Sequence, residues 1–177
     1  PPPRLFGFVR PEPFVHGRHE GRELSVSVPG KGLQNTRQIE TVLKVGTRST
    51  GLQAQITGGG VFGRLQQRGG VSKIRWTSGD AAFDAATEVR TDQGDRLGAV
   101  LPLERRAQIL DLLQSGKGAL YIGDGNLAYA ELGLIADKQR RERFESAVDL
   151  LYALADAMER GAHATSEISN NSRSPES

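Results

Sequence analysis

The sequence predicts an α+β domain, in which a largely antiparallel sheet of about five to seven strands carries a short helix and a long C-terminal amphipathic helix on one face. Three observations support this fold class. Short segments before residue 91 alternate apolar and polar residues, which is typical of half-buried strands. After residue 102, apolar residues recur at spacings of three and four, the period of an α-helix. Between the helical regions that begin at Leu103 and at Asp137, Gly-Asp-Gly-Asn at residues 123–126 predicts a tight β-hairpin.

The strand pattern is clearest where Leu24, Val26 and Val28 alternate with polar residues. Short strands with polar alternate positions favour an antiparallel sheet with one solvated face. The segments with this pattern are Glu23–Val28, Gln38–Val45, Leu52–Ile56, Val71–Thr77 and Phe83–Val89.

Both predicted helices have recognisable ends. Pro102 suits the first turn of a helix over Leu103–Leu113, and Gly116 is expected to stop it. Asp137 is a suitable N-cap for the final helix, which we expect to end near Arg160 with Gly161 as its C-cap. The residues expected to form its buried stripe are Phe144, Val148, Leu151, Leu154, Ala155 and Met158, and those expected to face solvent are Glu142, Glu145, Asp149, Asp156 and Glu159.

The chain divides into three predicted parts. Residues 1–22 form an extended Pro/Gly-rich lead-in, 23–161 a single α+β domain, and 162–177 a disordered polar tail. The lead-in also contains apolar residues, which we expect to fix it to the domain or to a partner: Leu5, Phe6, Phe8 and Phe14. The chain opens on three prolines without an initiator Met, so we expect it to be a piece of a longer protein.

Composition excludes several function classes. The chain has no Cys, which rules out disulfides and thiolate chemistry and agrees with a cytosolic compartment. No apolar run approaches the roughly 18–20 residues that span a bilayer. We therefore expect a cytoplasmic location or one on the cytoplasmic face of a membrane.

Charge is unevenly spread along the chain. Residues 1–79 contain 12 Lys/Arg and 4 Asp/Glu, whereas residues 80–177 contain 11 Lys/Arg and 17 Asp/Glu. A basic half attracts nucleic acid or an acidic membrane surface. The alternative is that the two halves pack on each other and their charges largely cancel.

Three short motifs resemble known sites, but their spacing is wrong. His16, His19 and Glu20 lie among glycines, although a zinc-binding His pair requires a helix. Residues 115–118 lack the first Gly and the Ser/Thr of a phosphate-binding loop. Residues 124–126 lack the later oxygen ligands of a calcium loop. The sequence therefore predicts no metal or cofactor.

The glycine-rich segment 57–70 is the part of the chain most suggestive of a binding site. Glycines let backbone N–H groups approach a ligand, arginines pair with phosphate, and an aromatic ring stacks on a base or enters a membrane surface. The alternative is a loop between strands, with Phe62 and Leu65 covering the core. The candidate residues for binding an anion or partner are Phe62, Arg64, Arg68, Lys73 and Arg75.

One segment resembles a known group of proteins. Residues 78–84, Ser-Gly-Asp-Ala-Ala-Phe-Asp, followed by Glu88-Val89-Arg90, are similar to uncharacterised bacterial domains with a Gly-Asp-x-x-Phe-Asp segment. Residues 16–22 are similar to the start of those domains. Because those domains often follow transmembrane helices, the resemblance implies a membrane anchor upstream of Pro1. It implies no activity.

Three functions follow as hypotheses. The first is a non-catalytic binding or scaffold module for an unknown protein partner, since no Ser/His/Asp or other catalytic arrangement is visible. The second is an anion or nucleic-acid binder that uses the basic glycine-rich segment. The third is an enzyme with an unrecognised site, which a buried pocket holding Asp80, Asp84 or His19 would favour.

Overall fold

The strands form one antiparallel sheet. A computed structural model describes residues 14–28, 30–31, 38–58, 74–114, 118–123 and 125–171. The strands are β1 (Phe14–His19), β2 (Arg22–Ser27), β3 (Gly30–Lys31), β4 (Gln38–Gly46), β5 (Ala54–Gly58), β6 (Arg75–Trp76), β7 (Thr87–Arg90), β8 (Gly118–Gly123) and β9 (Asn126–Leu132). Their order is β1-β2-β4-β9-β8-β5-β7-β6, with β3 paired to β4. The α+β class is confirmed, with nine strands in the described part of the chain rather than five to seven.

Four helices are present among the described residues, and they pack on one face of the sheet. They are α1 (Ala81–Ala86), α2 (Gly94–Val100), α3 (Leu103–Gln114) and α4 (Lys138–Asn171). Alternate residues of the central strands, such as Leu43 and Tyr129, are buried against Phe144 and Leu151 of α4. None of the helices in the described ranges is long and apolar enough to cross a membrane.

The predicted hairpin is confirmed. Strands β8 and β9 pair directly from Gly123 opposite Asn126, which leaves a two-residue turn. Gly125 has a φ of 74°, the left-handed conformation that glycine adopts without strain. Its carbonyl accepts a 2.8 Å hydrogen bond from the N–H of Thr47, so the turn is fixed to the end of β4.

The predicted strand over Phe83–Val89 is wrong in its first half. Residues 81–86 form α1, and the strand β7 begins only at Thr87. The reason is local capping, because Asp80 accepts hydrogen bonds from the N–H groups of Ala82 and Phe83. Alanines at 81, 82, 85 and 86 also favour a helix. The pattern that places Phe83, Ala85, Thr87 and Val89 on one side of a strand therefore does not hold before Thr87.

Substitution of Asp80 with Ala is expected to destabilise the fold by about 1 kcal/mol, because two N–H groups of α1 lose their acceptor. Urea unfolding of the two proteins measures this change. Asp92→Ala is the control, since Asp92 is exposed and caps no helix. An equal loss in both variants would contradict the capping role.

The last helix begins as predicted but does not end where predicted. Asp137 Oδ1 accepts a 2.7 Å hydrogen bond from the N–H of Arg140, which confirms the N-cap. Gly161 is not a C-cap, because it lacks a positive φ and the helix continues to Asn171. A glycine inside a helix costs only about 1 kcal/mol, too little to stop it when no proline follows nearby. The helix thus extends into the segment predicted as a tail.

Other differences are small or local. The predicted strands from Glu23, Gln38 and Leu52 are present as β2, β4 and β5 with shifted ends. Strand β1 lies within the predicted lead-in and pairs with β2, and α2 was not predicted. The predicted helix over Leu103–Leu113 is confirmed as α3.

Candidate functional site

A groove of about 670 Å³ runs between α3 and α4 on the outside of the helical layer. The two helices supply opposite walls, while Leu112, Leu150 and Ala153 supply an apolar floor. Leu112 and Leu150 are at most 5% exposed, so the floor is continuous with the core. The remaining lining residues are Pro102, Glu104, Arg105, Gln108, Asp111, Gln139, Glu142, Arg143, Ser146 and Asp149.

Acidic residues repeat along both walls at the same interval. Glu104 and Asp111 lie seven residues apart on α3, and Glu142 and Asp149 lie seven residues apart on α4. Seven residues make about two helical turns, so each pair faces one way with a separation of about 10 Å along its helix. Each wall therefore presents a row of two carboxylates.

Three carboxylates of the lining, Glu104, Glu142 and Asp149, outnumber the lining cations that could pair with them. Arg143 is committed to the buried Glu131, and this leaves Arg105 as the other arginine of the lining. Lys138 Nζ lies 3.5 Å from Glu142 Oε1, but the side chains are 88% and 57% exposed, so the pair contributes little. The groove is consequently acidic.

Arg105 has a polar atom without a partner. Its Nε is buried and has no hydrogen-bond acceptor in the described part of the protein.

The wall formed by α4 is held to the sheet by a buried carboxylate. Glu131 on β9 is 1% exposed and lies 2.7 Å from Arg143 Nη2, and the hydroxyl of Tyr129 donates to its other oxygen at 2.7 Å. Arg140 Nε is 2.9 Å from Glu131 but is poorly aligned for a hydrogen bond, so its contribution is ionic. This cluster, Tyr129-Glu131-Arg140-Arg143, is called the buried anchor below.

The buried anchor sets the charge state of its members. Burial opposes ionisation of Glu131, but hydrogen bonds from Arg143 and Tyr129 hold the pKa of its carboxyl below the ordinary value. Burial and the neighbouring carboxylate raise the pKa of Tyr129. Tyr129 therefore stays neutral and acts as a donor, and its ring packs edge-on against Phe144 at 5.3 Å.

A second, polar groove of about 660 Å³ lies beside the middle of α4, at Tyr152, Asp156 and Glu159. Arg22 on β2 crosses it and donates to Asp156 and Glu159 at 2.6 Å each. Glu159 also accepts from the hydroxyl of Thr47 at 2.8 Å and from the N–H of Arg48 at 3.0 Å. We call this set of contacts the helix latch, because it joins α4 to β2 and to the residues that follow β4.

The latch residues satisfy one another. The hydrogen bond from Arg22 lowers the pKa of Glu159 to about 2 despite its partial burial, with further contributions from Arg48 and Thr47. The Tyr152 hydroxyl donates to the carbonyl of His19 at 2.9 Å, which fixes the β1–β2 turn to the same helix. The carboxylate of Glu159 is thus already fully used within the protein, and this groove has a structural explanation.

Comparison with known proteins identifies a shared architecture. No protein-family model and no curated protein matches the chain. Among solved structures, the crystal structure of the mycobacterial trehalose monomycolate transport factor A, TtfA, aligns over 82% of this chain and 70% of that chain, with a TM-score of 0.55. The chain shares its fold with TtfA. At 9% sequence identity, the likeness to TtfA extends to the fold alone and assigns no residue a role.

Most of the predicted binding residues lie outside the described part of the chain. These are Phe62, Arg64, Arg68 and Lys73. Arg75 is described, and it is an exposed residue of the edge strand β6. Arg75 lines neither groove.

None of the described residues considered for metal binding or catalysis lines the groove between α3 and α4, whereas Glu20 lines the second groove. His19 Nε2 is 3.9 Å from Glu20 Oε1 with both side chains exposed, and the described residues contain no group of three or more metal-ligating side chains. Asp80 caps α1. Asp84 accepts from the N–H groups of Ser78 and Gly79 at 2.8 and 3.0 Å, which makes it part of the same local turn.

One acid of the final helix does not lie where predicted. Glu159 was expected to face solvent, but its side chain is only 17% exposed and accepts a hydrogen bond from Arg22, whereas Asp156 is exposed as predicted and also contacts Arg22. Glu142 and Asp149 do face outward, but into the groove beside α3. A signal was present in the sequence, because Glu104/Asp111 and Glu142/Asp149 share the seven-residue interval. Only the fold shows that the two pairs face each other.

Proposed function

We propose that this protein is a non-catalytic binding module and that the groove between α3 and α4 is its working surface. The observation that carries the proposal is the combination of an apolar floor with walls that hold four carboxylates, unfilled by any described element. A concave surface with an apolar base and a polar rim is the usual form of a protein-recognition groove. The partner is therefore a protein segment rather than a small substrate.

The charge of the groove favours one class of partner over others. Acidic walls repel nucleic acid and acidic lipid headgroups, so these ligands are disfavoured at this surface. The fold likeness supports a binding role from a separate direction, since TtfA is named as a transport factor rather than as an enzyme. Attachment to a membrane through an upstream anchor stays a prediction from the sequence.

The alternative is anion or nucleic-acid binding through the basic glycine-rich segment. Its support is the charge pattern of residues 57–70 with Lys73 and Arg75, together with the exposure of Arg75 on the edge strand β6. Such binding would weaken steeply with added salt. Arg75, the described residue of this set, lines neither groove.

Filling the groove tests the proposal. Ser146→Gln with Ala153→Gln adds volume inside it without changing charge, and glutamine is a good helix former. Proteins that crosslink to the wild-type chain in its native cells should be recovered with this variant in roughly tenfold lower amounts. Quantitative mass spectrometry of the crosslinked species measures the loss.

A matched control separates filling from general disturbance. Ala85→Gln with Ala107→Gln also adds two glutamines, at exposed helical positions that line neither groove. It is expected to retain the wild-type partners. Equal recovery with the filled variant and the control would reject the groove as the binding surface, and turnover of a small molecule by the purified chain would reject a non-catalytic role.

A further inference from the structure

We propose that the partner of the groove is a basic amphipathic α-helix, with apolar residues facing the floor and Lys or Arg repeating every seven residues. This inference rests on the proposed function and adds the identity of the ligand class. Three features of the described residues carry it. Both walls of the groove are helices, carboxylates lie seven residues apart along them, and the lining residues extend over a limited length of each helix.

The walls favour a helical partner over an extended one. Both walls are helices whose backbone groups are hydrogen-bonded internally, so the groove has no strand edge to offer. An extended peptide would bring unpaired N–H and C=O groups against side chains and apolar carbon. A helix satisfies its own backbone and presents side chains alone, which is the usual mode of recognition between two helices.

The acidic interval sets the pattern of charge on the partner. Carboxylates recur at Glu104 and Asp111 on one wall and at Glu142 and Asp149 on the other. A helix lying parallel to these walls repeats its own faces every seven residues, as they do. Basic side chains at that interval on the flank that faces α4 would meet Glu142 and Asp149, and one on the other flank would meet Glu104.

The lined surface sets the length of the partner. Lining residues extend over 102–112 on α3 and 139–153 on α4, which correspond to about 15 and 21 Å of helix. A partner helix of about 14 residues covers that distance, with Leu112, Leu150 and Ala153 beneath it.

Three synthetic helices provide the test. Each is about 14 residues long, carries a fluorescent label and has the same Leu/Ala face. They differ only at the flanking positions, which hold Lys, Gln or Glu. We expect the Lys helix to bind the full chain, by fluorescence anisotropy, at least tenfold more tightly than the Gln helix, and the Glu helix to bind most weakly.

Two charge variants locate the effect. Glu104→Gln with Glu142→Gln and Asp149→Asn removes three carboxylates from the groove. Asp92→Asn with Asp95→Asn and Glu145→Gln removes three exposed carboxylates elsewhere and keeps the net charge equal. The groove variant is expected to bind the Lys helix roughly tenfold more weakly than the wild-type chain, whereas the control retains most of the affinity.

The outcomes distinguish this inference from the proposed function. Equal binding of the Lys and Gln helices, lost on filling the groove with Ser146→Gln and Ala153→Gln, would overturn the basic partner and leave the groove as a binding surface. Binding of the Lys helix that survives filling and falls equally in both charge variants would be non-specific attraction, and would overturn both. Binding that is lost on filling and in the groove variant alone supports both.

Discussion

Arg143→Met is expected to destabilise the fold by about 3 kcal/mol, the largest effect that we expect from a single substitution in this chain. Methionine keeps most of the aliphatic length of the side chain but removes the two hydrogen bonds to Glu131. A carboxylate that is 1% exposed then keeps only Tyr129 and the poorly aligned Arg140. Chemical unfolding monitored by circular dichroism measures the change in the free energy of unfolding.

The pH dependence of this loss identifies its cause. In the wild-type chain the folded-state pKa of Glu131 lies below its ordinary value of 4.5, so its ionised form stabilises the fold above pH 4.5 and this contribution is lost as pH falls. In Arg143→Met, burial of the carboxylate dominates and raises the pKa of Glu131. Protonation of Glu131 at lower pH then removes the buried charge and restores part of the lost stability. The difference in the free energy of unfolding should therefore begin to narrow above pH 4.5, where Glu131 of the variant takes up a proton, and should keep narrowing as pH falls further.

Arg141→Met is the matched control, because Arg141 is an exposed neighbour on the same helix. Its expected effect is within about 0.5 kcal/mol. If Arg143→Met were no worse than this control, or if its deficit stayed constant from pH 7 to pH 4, Glu131 would not depend on Arg143 for its charge.

The sheet and its long helix are predictable from the sequence because they depend on periodicity. Alternation over Gln38–Val45 and helical spacing from Phe144 to Met158 each report a buried face directly. The predictions that were wrong concern residues that cap a helix or through which a helix continues. Asp80 converts an alternating segment into a helix, and Gly161 continues a helix because nothing after it forces a stop.

The candidate groove could not be predicted from the sequence, for a different reason. Glu104 and Asp149 belong to separate helices, and only the packing of α3 against α4 makes them opposite walls. The same limit applies to Glu131, a single acid in an apolar strand, whose partners lie on α4. Charge on an amphipathic helix indicates its outer face, but whether that face meets solvent, a latch or a groove depends on its neighbours.

Glu159→Gln is expected to destabilise the fold by about 2 kcal/mol, because the amide cannot replace a carboxylate that accepts from Arg22, Thr47 and Arg48 together. The wild-type carboxyl has a folded-state pKa of about 2 against an ordinary value of 4.5. Its contribution is therefore complete above pH 4.5 and is lost as pH falls from about 4.5 to about 2. The variant should lack this part of the acid dependence, so the two stability curves should converge toward pH 2.

Glu145→Gln provides the control for the helix latch, since it makes the same chemical change at an exposed position of α4. Its free energy of unfolding should stay within about 0.5 kcal/mol of wild type, with an unchanged acid dependence. Hydrogen exchange localises the effect: in Glu159→Gln, amides of α4 around Tyr152 to Met158 should lose protection before those around Phe144, because the buried anchor still holds the first turns. A uniform loss of protection along α4 would mean that the latch does not stabilise residues 152–158 separately from the first turns of the helix. The α4 wall of the groove belongs to the half of that helix that the buried anchor fixes. Loosening the latch should therefore leave binding of the Lys helix intact.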